Sequence, residues 1–156
     1  SIADKLAYSN MPVGTVIQKV RKVVDQPSHA NTSSSSYVDI ANSAISITPK
    51  FNNSIILFSC SIYAHAQTGS GHFEYTLFRD STDVSSSYSS SKHGTYSPGT
   101  DAADNTYDRF NALMSDTPNT TNSITYSIRF RRSSGSNDLY IHSNGINEFY
   151  LEEIAQ

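Results

Sequence analysis

The sequence is poor in the residues that disulfide frameworks and charge-based binding require. Its 156 residues include one cysteine, Cys60, so an intrachain disulfide cannot form. Because Cys60 lies inside an apolar segment, we expect a small buried hydrophobic side chain rather than a reactive thiol. Charged residues make up only 16% of the chain, and the formal net charge is −3. A nucleic-acid binder needs a basic surface to neutralise phosphates, so nucleic acid is a poor candidate partner.

Long apolar runs and glycine-rich loops are also missing. No run approaches the roughly 18 apolar residues of a membrane span, and residues 1–10 lack the basic-then-apolar order of a signal peptide. The sequence therefore predicts no membrane insertion. The seven glycines are scattered through predicted turns, so no loop has the composition of a phosphate-binding motif.

Tyrosine, phenylalanine and small polar residues are abundant instead. Ten Tyr and seven Phe bury a large area per residue, although only 37% of the chain is hydrophobic. The length suits one domain, since two would each be near the size at which a core barely stabilises itself. About a third of the residues are Ser, Thr or Asn, which favour turns and strand surfaces. We predict one domain with a modest core, for which an oligomer interface would add buried area.

Alternation of apolar and polar residues predicts strands along most of the chain. The clearest are residues 54–66 and 123–132, where apolar side chains recur at every second position. Other segments with strand character are 14–25, 37–40, 44–48, 72–79, 106–114, 139–142 and 148–154. About eight to ten short strands with no convincing helix are typical of an all-β fold, an antiparallel β-sandwich or jelly roll.

Spacing also predicts two finer features. In the first strand, Val16, Val20 and Val24 should share one face. The strands at 54–66 and 72–79 flank a glycine-containing turn, so we expect them to form a hairpin-like pair.

Residues 80–105 form the candidate recognition loop. The segment is longer than structureless loops in compact domains usually are, so we expect a short strand near Val84–Tyr88. Its mixture of Tyr, Ser, Gly and Asp suits adaptable recognition at low entropy cost, and a loop without a binding role is the alternative. The candidate receptor-binding residues in and next to it are Tyr88, Lys92, His93, Tyr96, Asp101, Asp104 and Tyr107.

Arg129, Arg131 and Arg132 form a basic cluster in the sequence. Two of the three point outward from one predicted strand, where they could contact an anionic sugar or a carboxylate of a neighbouring chain. A solvated or ion-paired row is the more common arrangement of such residues.

Motifs for catalysis and metal binding are missing. No histidine pair shows HxxxH or HExxH spacing, although one histidine per subunit would suffice for a metal on a threefold axis. Ser70 lies in a GSGH stretch that lacks the strand-to-helix turn of a nucleophile elbow. Acid pairs such as Asp101 with Asp104 would serve glycoside hydrolysis only in a suitable cleft. We predict no catalytic residue, no metal and no cofactor, with a glycan-processing enzyme as an alternative.

Several phrases resemble a family of tail-fibre and structural proteins of marine bacteriophages. The phrases are MPVGTVIQKV, SYVDI, SITPKFNNSIILF, FRDST, TPNTTNSITYSIRF and the terminal FYLEEIAQ. Together they extend over nearly the whole chain from Met11 onward. The resemblance implies a jelly roll similar to the tumour-necrosis-factor and C1q type, assembled as a homotrimer at the tip of a fibre or appendage.

The resemblance also implies a domain organisation and a set of partners. Residues 1–12 would be a linker from a fibre shaft or a preceding domain, joining the chain to other virion proteins, and residues 13–156 would form the jelly roll. The expected location is an external appendage of the virion, and the expected partner is a host cell-surface polysaccharide or protein. The alternatives are a capsid decoration or collar protein with a purely structural role, and a C1q-like ligand of a cellular organism.

Overall fold

Alternating polarity is realised as β-strands throughout the part of the chain that the structure describes. The computed structural model describes residues 11–26, 30–66, 71–87, 92–96, 106–135, 138–141 and 145–156. The strands are β1 (Val16–Gln26), β2 (Ala30–Thr32), β3 (Val38–Asp39), β4 (Ile45–Ile47), β5 (Ile55–Ala66), β6 (Gly71–Arg79), β7 (Thr82–Asp83), β8 (Gly94–Tyr96), β9 (Thr106–Asp116), β10 (Ile124–Gly135), β11 (Leu139–Ile141) and β12 (Gly145–Ile154). The predicted all-β class is confirmed. Of the predicted linker at 1–12, residues 1–10 lie outside the described residues.

The strands form two antiparallel sheets. In the first sheet, β9 pairs along one edge of β5, while β12 and β11 pair along its other edge and are flanked by β1 and β2. In the second sheet, β10 pairs with β6 on one side and with β3 and β4 on the other, and β7 and β8 extend the sheet beyond β6. Each sheet is thus four strands wide. This is the two-layer arrangement of a jelly roll.

The core lies between the two sheets and comes from every second residue of the long strands. On β10 the side chains of Ile124, Tyr126, Ile128 and Phe130 are all buried, as the alternation predicts. From the first sheet, Phe58 and Phe149 belong to the same core, and their two ring centroids lie 6.4 Å apart. Fully burying one such side chain contributes about 1.5–3 kcal/mol.

A buried carboxylate joins the first strand to the connection between the two sheets. Glu153 on β12 is fully buried. Its Oε1 accepts hydrogen bonds from the backbone N–H of Lys50 (2.7 Å) and Phe51 (3.2 Å) and from Ser54 Oγ (2.7 Å). Its Oε2 accepts one from Gln18 Nε2 at 2.6 Å. Three of these hydrogen bonds come from residues between β4 and β5. The buried carboxylate therefore fixes the chain path between these two strands.

Two detailed predictions are wrong. β5 and β6 do not pair as a hairpin, since β5 belongs to the first sheet and β6 to the second. Residues Val84–Ser87 form a 3₁₀ turn rather than a strand, and the short strands lie on either side of them at β7 and β8. Tyr88 itself is outside the described residues.

The predicted shared face of β1 is also wrong at one position. Val24 is buried and Val20 packs against the core, but Val16 is 49% exposed. A register irregularity between Val16 and Gln18 adds one residue to β1 relative to β12, which turns Val16 to the other face.

No helix within the described residues has the length and apolar character that crossing a membrane requires.

Candidate functional site

The outer face of the second sheet is covered in part by the chain that follows β6. Thr76 points outward from β6, yet it is fully buried. Its Oγ1 lies 2.7 Å from Asp83 Oδ1, 2.8 Å from Ser85 Oγ and 3.1 Å from His93 Nδ1. His93 belongs to this segment, and its partial burial against the sheet lowers the pKa of its ring. The described parts of the predicted recognition loop, residues 80–87 and 92–96, therefore pack back on the sheet through hydrogen bonds to Thr76.

Glu74 is the centre of the charged contacts on this face. Its Oε1 accepts a hydrogen bond from Lys92 Nζ at 2.7 Å, and its Oε2 accepts two from Arg131, from Nε at 2.9 Å and Nη2 at 2.7 Å. The bond from Lys92, followed by those from Arg131, holds the pKa of Glu74 below its usual range. One carboxylate thus neutralises two of the cations that the sequence singled out.

Two of the three arginines are ion-paired and stacked on aromatic rings. Arg129 Nε donates to Asp39 Oδ1 at 2.7 Å, and its guanidinium lies 3.8 Å from the centre of the Phe78 ring. Arg131 lies 4.5 Å from the centre of the Tyr37 ring. Within the described residues, Arg132 makes no side-chain hydrogen bond or ion pair, although its backbone N–H donates to Ser34 O at 2.7 Å. Arg129 and Arg131 thus each form an ion pair within the chain.

The structure therefore brings four of the predicted site residues to one face, namely Lys92, His93, Arg129 and Arg131. The backbone of Tyr96 lies on β8 of this sheet, opposite Phe73. Tyr107 lies on β9, in the other sheet, so it does not share an element with that group. Tyr88, Asp101 and Asp104 lie outside the described residues.

A polar groove at the edge of this face was not predicted. It has a volume of about 270 Å³ and is bounded by the β3–β4 connection, the turn after β6 and the outward side chains of β10. Its lining residues are Asp39, Ile40, Ala41, Asn42, Ser43, Ala44, Asp80, Thr125, Ser127 and Arg129. Of these residues, only Arg129 was among the predicted site residues. The others come from three separate segments that share no sequence motif, so the sequence did not indicate them.

Two of the groove residues have a left-handed backbone. Asn42 has a φ of 59° and Asp80 a φ of 52°. Residues other than glycine rarely adopt such values, and among them Asn and Asp tolerate these values best. Hydrogen bonds hold both positions: Ser43 N donates to Ile40 O at 3.0 Å, and Asp80 N donates to Thr125 O at 2.7 Å. The groove is preorganised by its turns. The Asn and Asp of SYVDIAN and FRDST are the sequence signal that marks these turns.

The outer face of the first sheet is different in character. Leu113 is 71% exposed, Ile146 53% and Val23 46%. Beside them Lys19 pairs with Glu152 at 2.6 Å, and Arg21 pairs with Glu148. We call this surface the first-sheet face.

Candidate chemistry beyond binding is sparse in the described part of the chain. There, no group of three His, Cys, Asp or Glu side chains is placed to hold a metal ion. Cys60 is buried, and burial raises the pKa of its thiol to about 12, so it is a structural side chain as predicted.

The fold and the site define a jelly-roll β-sandwich with a polar groove on one outer face. No protein-family model matches the chain, and none of the curated proteins matches it. Among solved structures, T=1 particles derived from infectious bursal virus are similar, with 8% identity and a TM-score of 0.44, over 91% of this chain and 37% of theirs. The VP2 subviral particle of infectious bursal disease virus has 11% identity and a TM-score of 0.44, over 91% of this chain and 39% of its own. This chain spans well under half of those chains, and a likeness of this degree carries no assignment of function.

Proposed function

We propose that this domain is a virion attachment module, a homotrimeric jelly roll at the tip of a bacteriophage tail fibre or appendage that binds a host-surface receptor, with a glycan as the first candidate. The observation that carries the proposal is the second sheet's outer face, where ion-paired arginines, aromatic rings and an open polar groove lie together. Such a surface offers many hydrogen-bonding groups and few uncompensated charges. These properties suit the recognition of a hydroxyl-rich polymer.

The first-sheet face supports the trimeric part of the proposal. Leu113, Ile146 and Val23 project from one outer face, where a neighbouring copy would remove them from water. A chain with a 37% hydrophobic fraction gains most from such added burial. Cyclic association on this face would leave the second sheet's outer face free on each copy.

Three copies of a weak site would then act together. A shallow groove binds a single sugar weakly, but linked sites convert later binding events into intramolecular ones and raise the overall avidity by about 10²–10⁴. Attachment without catalysis is therefore sufficient for the role, and we propose no enzymatic activity.

Two measurements test the proposal. Light scattering of the purified chain should give the mass of a trimer, and added chain should compete with phage particles for adsorption to host cells. A monomer that does not compete would contradict the proposal. Host polysaccharide that is shortened or deacetylated after incubation with the chain would favour the glycan-processing alternative instead.

A purely structural role as a capsid decoration or collar protein is the second candidate. The cross-strand ion pairs of the first-sheet face favour it, because a surface of alternating charge and exposed apolar side chains also suits docking on another virion protein. In that case the chain would bind virions that lack it and stabilise them against heat, while leaving adsorption unchanged.

A further inference from the structure

We infer that the groove lined by Asp39, Asn42, Asp80, Ser127 and Arg129 is a binding subsite for one uncharged sugar ring. The inference deepens the proposed attachment function and rests on it for its biological meaning. The binding chemistry stands on the geometry of the groove alone.

The size of the groove limits the ligand. Its volume of about 270 Å³ is just below the roughly 300–1,000 Å³ of pockets that hold drug-sized molecules. A single sugar ring is therefore a better match than an oligosaccharide, whose remaining rings would extend over the surface.

Two carboxylates present hydrogen-bond acceptors to the groove. Asp39 uses Oδ1 for Ser127 Oγ at 3.1 Å and for Arg129 Nε at 2.7 Å. Asp80 uses Oδ1 for the backbone N–H of Thr125 at 3.1 Å. Within the described residues, neither Oδ2 atom accepts a hydrogen bond, and both residues are exposed. Sugar hydroxyl groups are donors of the kind that such fixed oxygens accept.

Donors lie beside these acceptors. Arg129 is held by its Nε bond to Asp39 and by stacking on Phe78, so its two terminal nitrogens keep a fixed direction. The amide of Asn42 makes no hydrogen bond to the described residues and offers both a donor and an acceptor. Adjacent donors and acceptors match the vicinal hydroxyl groups of a sugar ring.

The charge of the groove selects among sugars. Asp39 compensates Arg129, and the carboxylate of Asp80 adds one further negative charge. An acidic sugar would meet repulsion at Asp80 and an arginine that is already paired. The groove should therefore prefer uncharged sugars over uronic acids.

A titration of the full chain with simple sugars tests the subsite. The probes are methyl α-mannopyranoside, methyl α-galactopyranoside, N-acetylglucosamine and, as the acidic comparison, glucuronic acid. We expect saturable amide shifts in ¹⁵N spectra at Asn42 and Asp80 with at least one uncharged probe, at millimolar to tens of millimolar concentration, and weaker binding of glucuronic acid. Absence of saturable shifts at these amides with all three uncharged probes, or glucuronic acid binding as tightly, would overturn the inference.

Variants that keep the left-handed backbone test the residues themselves. Asn42→Gly removes the amide, and Asp80→Asn removes one charge while keeping an oxygen for Thr125. Each should weaken binding of the best probe about threefold to tenfold. Asn119→Gly is the matched control, because Asn119 has a φ of 53° and does not line the groove. Equal affinity of Asn42→Gly, Asp80→Asn and Asn119→Gly would also overturn the inference.

Adsorption assays separate this inference from the proposed function. If the unaltered chain blocks phage adsorption while the sugar titration gives no saturable shifts at the groove, attachment stands and the subsite is wrong. If the unaltered chain does not block adsorption while the sugar titration still localises to the groove, the subsite stands and the attachment role is wrong.

Discussion

The two outer faces of the sandwich use the same polar and apolar residue types in opposite ways. On the first-sheet face, apolar side chains such as Leu113 on β9 stay exposed, and two ion pairs join the neighbouring strands β1 and β12. On the second sheet, the chain after β6 folds over the face, and Glu74 and Thr76 are buried beneath it. The first face thus leaves apolar side chains in contact with solvent, whereas the described residues after β6 cover part of the second. Under the proposed function, the first face serves assembly and the second serves recognition.

Removing the buried carboxylate should have the largest effect, because it acts on both sheets at once. Glu153→Ala leaves the N–H groups of Lys50 and Phe51 and the hydroxyl of Ser54 without their acceptor. We expect the free energy of unfolding to fall by about 3–5 kcal/mol. Chemical denaturation measures this. Glu152→Ala, one residue earlier on the exposed side, should cost no more than about 1 kcal/mol, and equal losses would contradict the role of Glu153.

A charged side chain introduced on the first-sheet face should prevent the proposed trimer from assembling. Leu113→Asp places a carboxylate where the proposed interface excludes water, so we expect about 2 kcal/mol or more of lost association energy and a monomeric mass in light scattering. The fold should persist, because Leu113 is already exposed. Asn53→Asp, at an exposed turn outside this face, is the control and should remain trimeric; a trimeric Leu113→Asp would place the interface elsewhere.

On the second sheet, two neighbouring arginines should differ in how much they stabilise the fold. Arg131→Ala removes the two hydrogen bonds to Glu74 and the contact with the Tyr37 ring, and should lower the unfolding free energy by about 1–2 kcal/mol. Arg132→Ala should change it by less than about 0.5 kcal/mol, as for an ordinary surface position. Thermal unfolding of both variants provides the measurement, and a larger effect at Arg132 would refute this assignment.

The smallest effect is a pH dependence that comes from Glu74. Its pKa is held below the ordinary value by Lys92 and Arg131, so the folded state binds this proton less readily than the unfolded state. The stabilisation is therefore present above the unfolded pKa of about 4.3 and is lost as pH falls through the folded pKa. Glu74→Gln should flatten the acid side of the stability curve. Parallel curves for the unaltered chain and Glu74→Gln would contradict this.

Most strand positions were predictable, since a strand's period of two is a local property. Ser, Thr and Arg alternate with Ile, Tyr and Phe along 123–132, and burial on β10 follows that order residue by residue. The bulge near Val16 was not visible, because an added residue is defined only relative to the partner strand β12. For the same reason, adjacency along the chain wrongly suggested that β5 and β6 pair.

The candidate site was predictable only in part. Arg129 and Arg131 stood out as a charge cluster, but their partners Asp39 and Glu74 lie about ninety and fifty-seven positions away in the chain. No spacing rule connects such residues. The groove has the same origin, because Asn42, Asp80 and Ser127 come together only when β10 receives partners along both edges.

The amino-acid sequence alone is enough to predict an all-β chain with a lean, aromatic core and a buried, unreactive cysteine. Those properties follow from composition and from side-chain alternation, which need no knowledge of strand partners. The tertiary structure alone decided which sheet each strand joins, which charges are neutralised and where a groove opens. Each of these depends on contacts between residues far apart in the chain, and a one-residue shift in register would reverse the faces on which those residues lie.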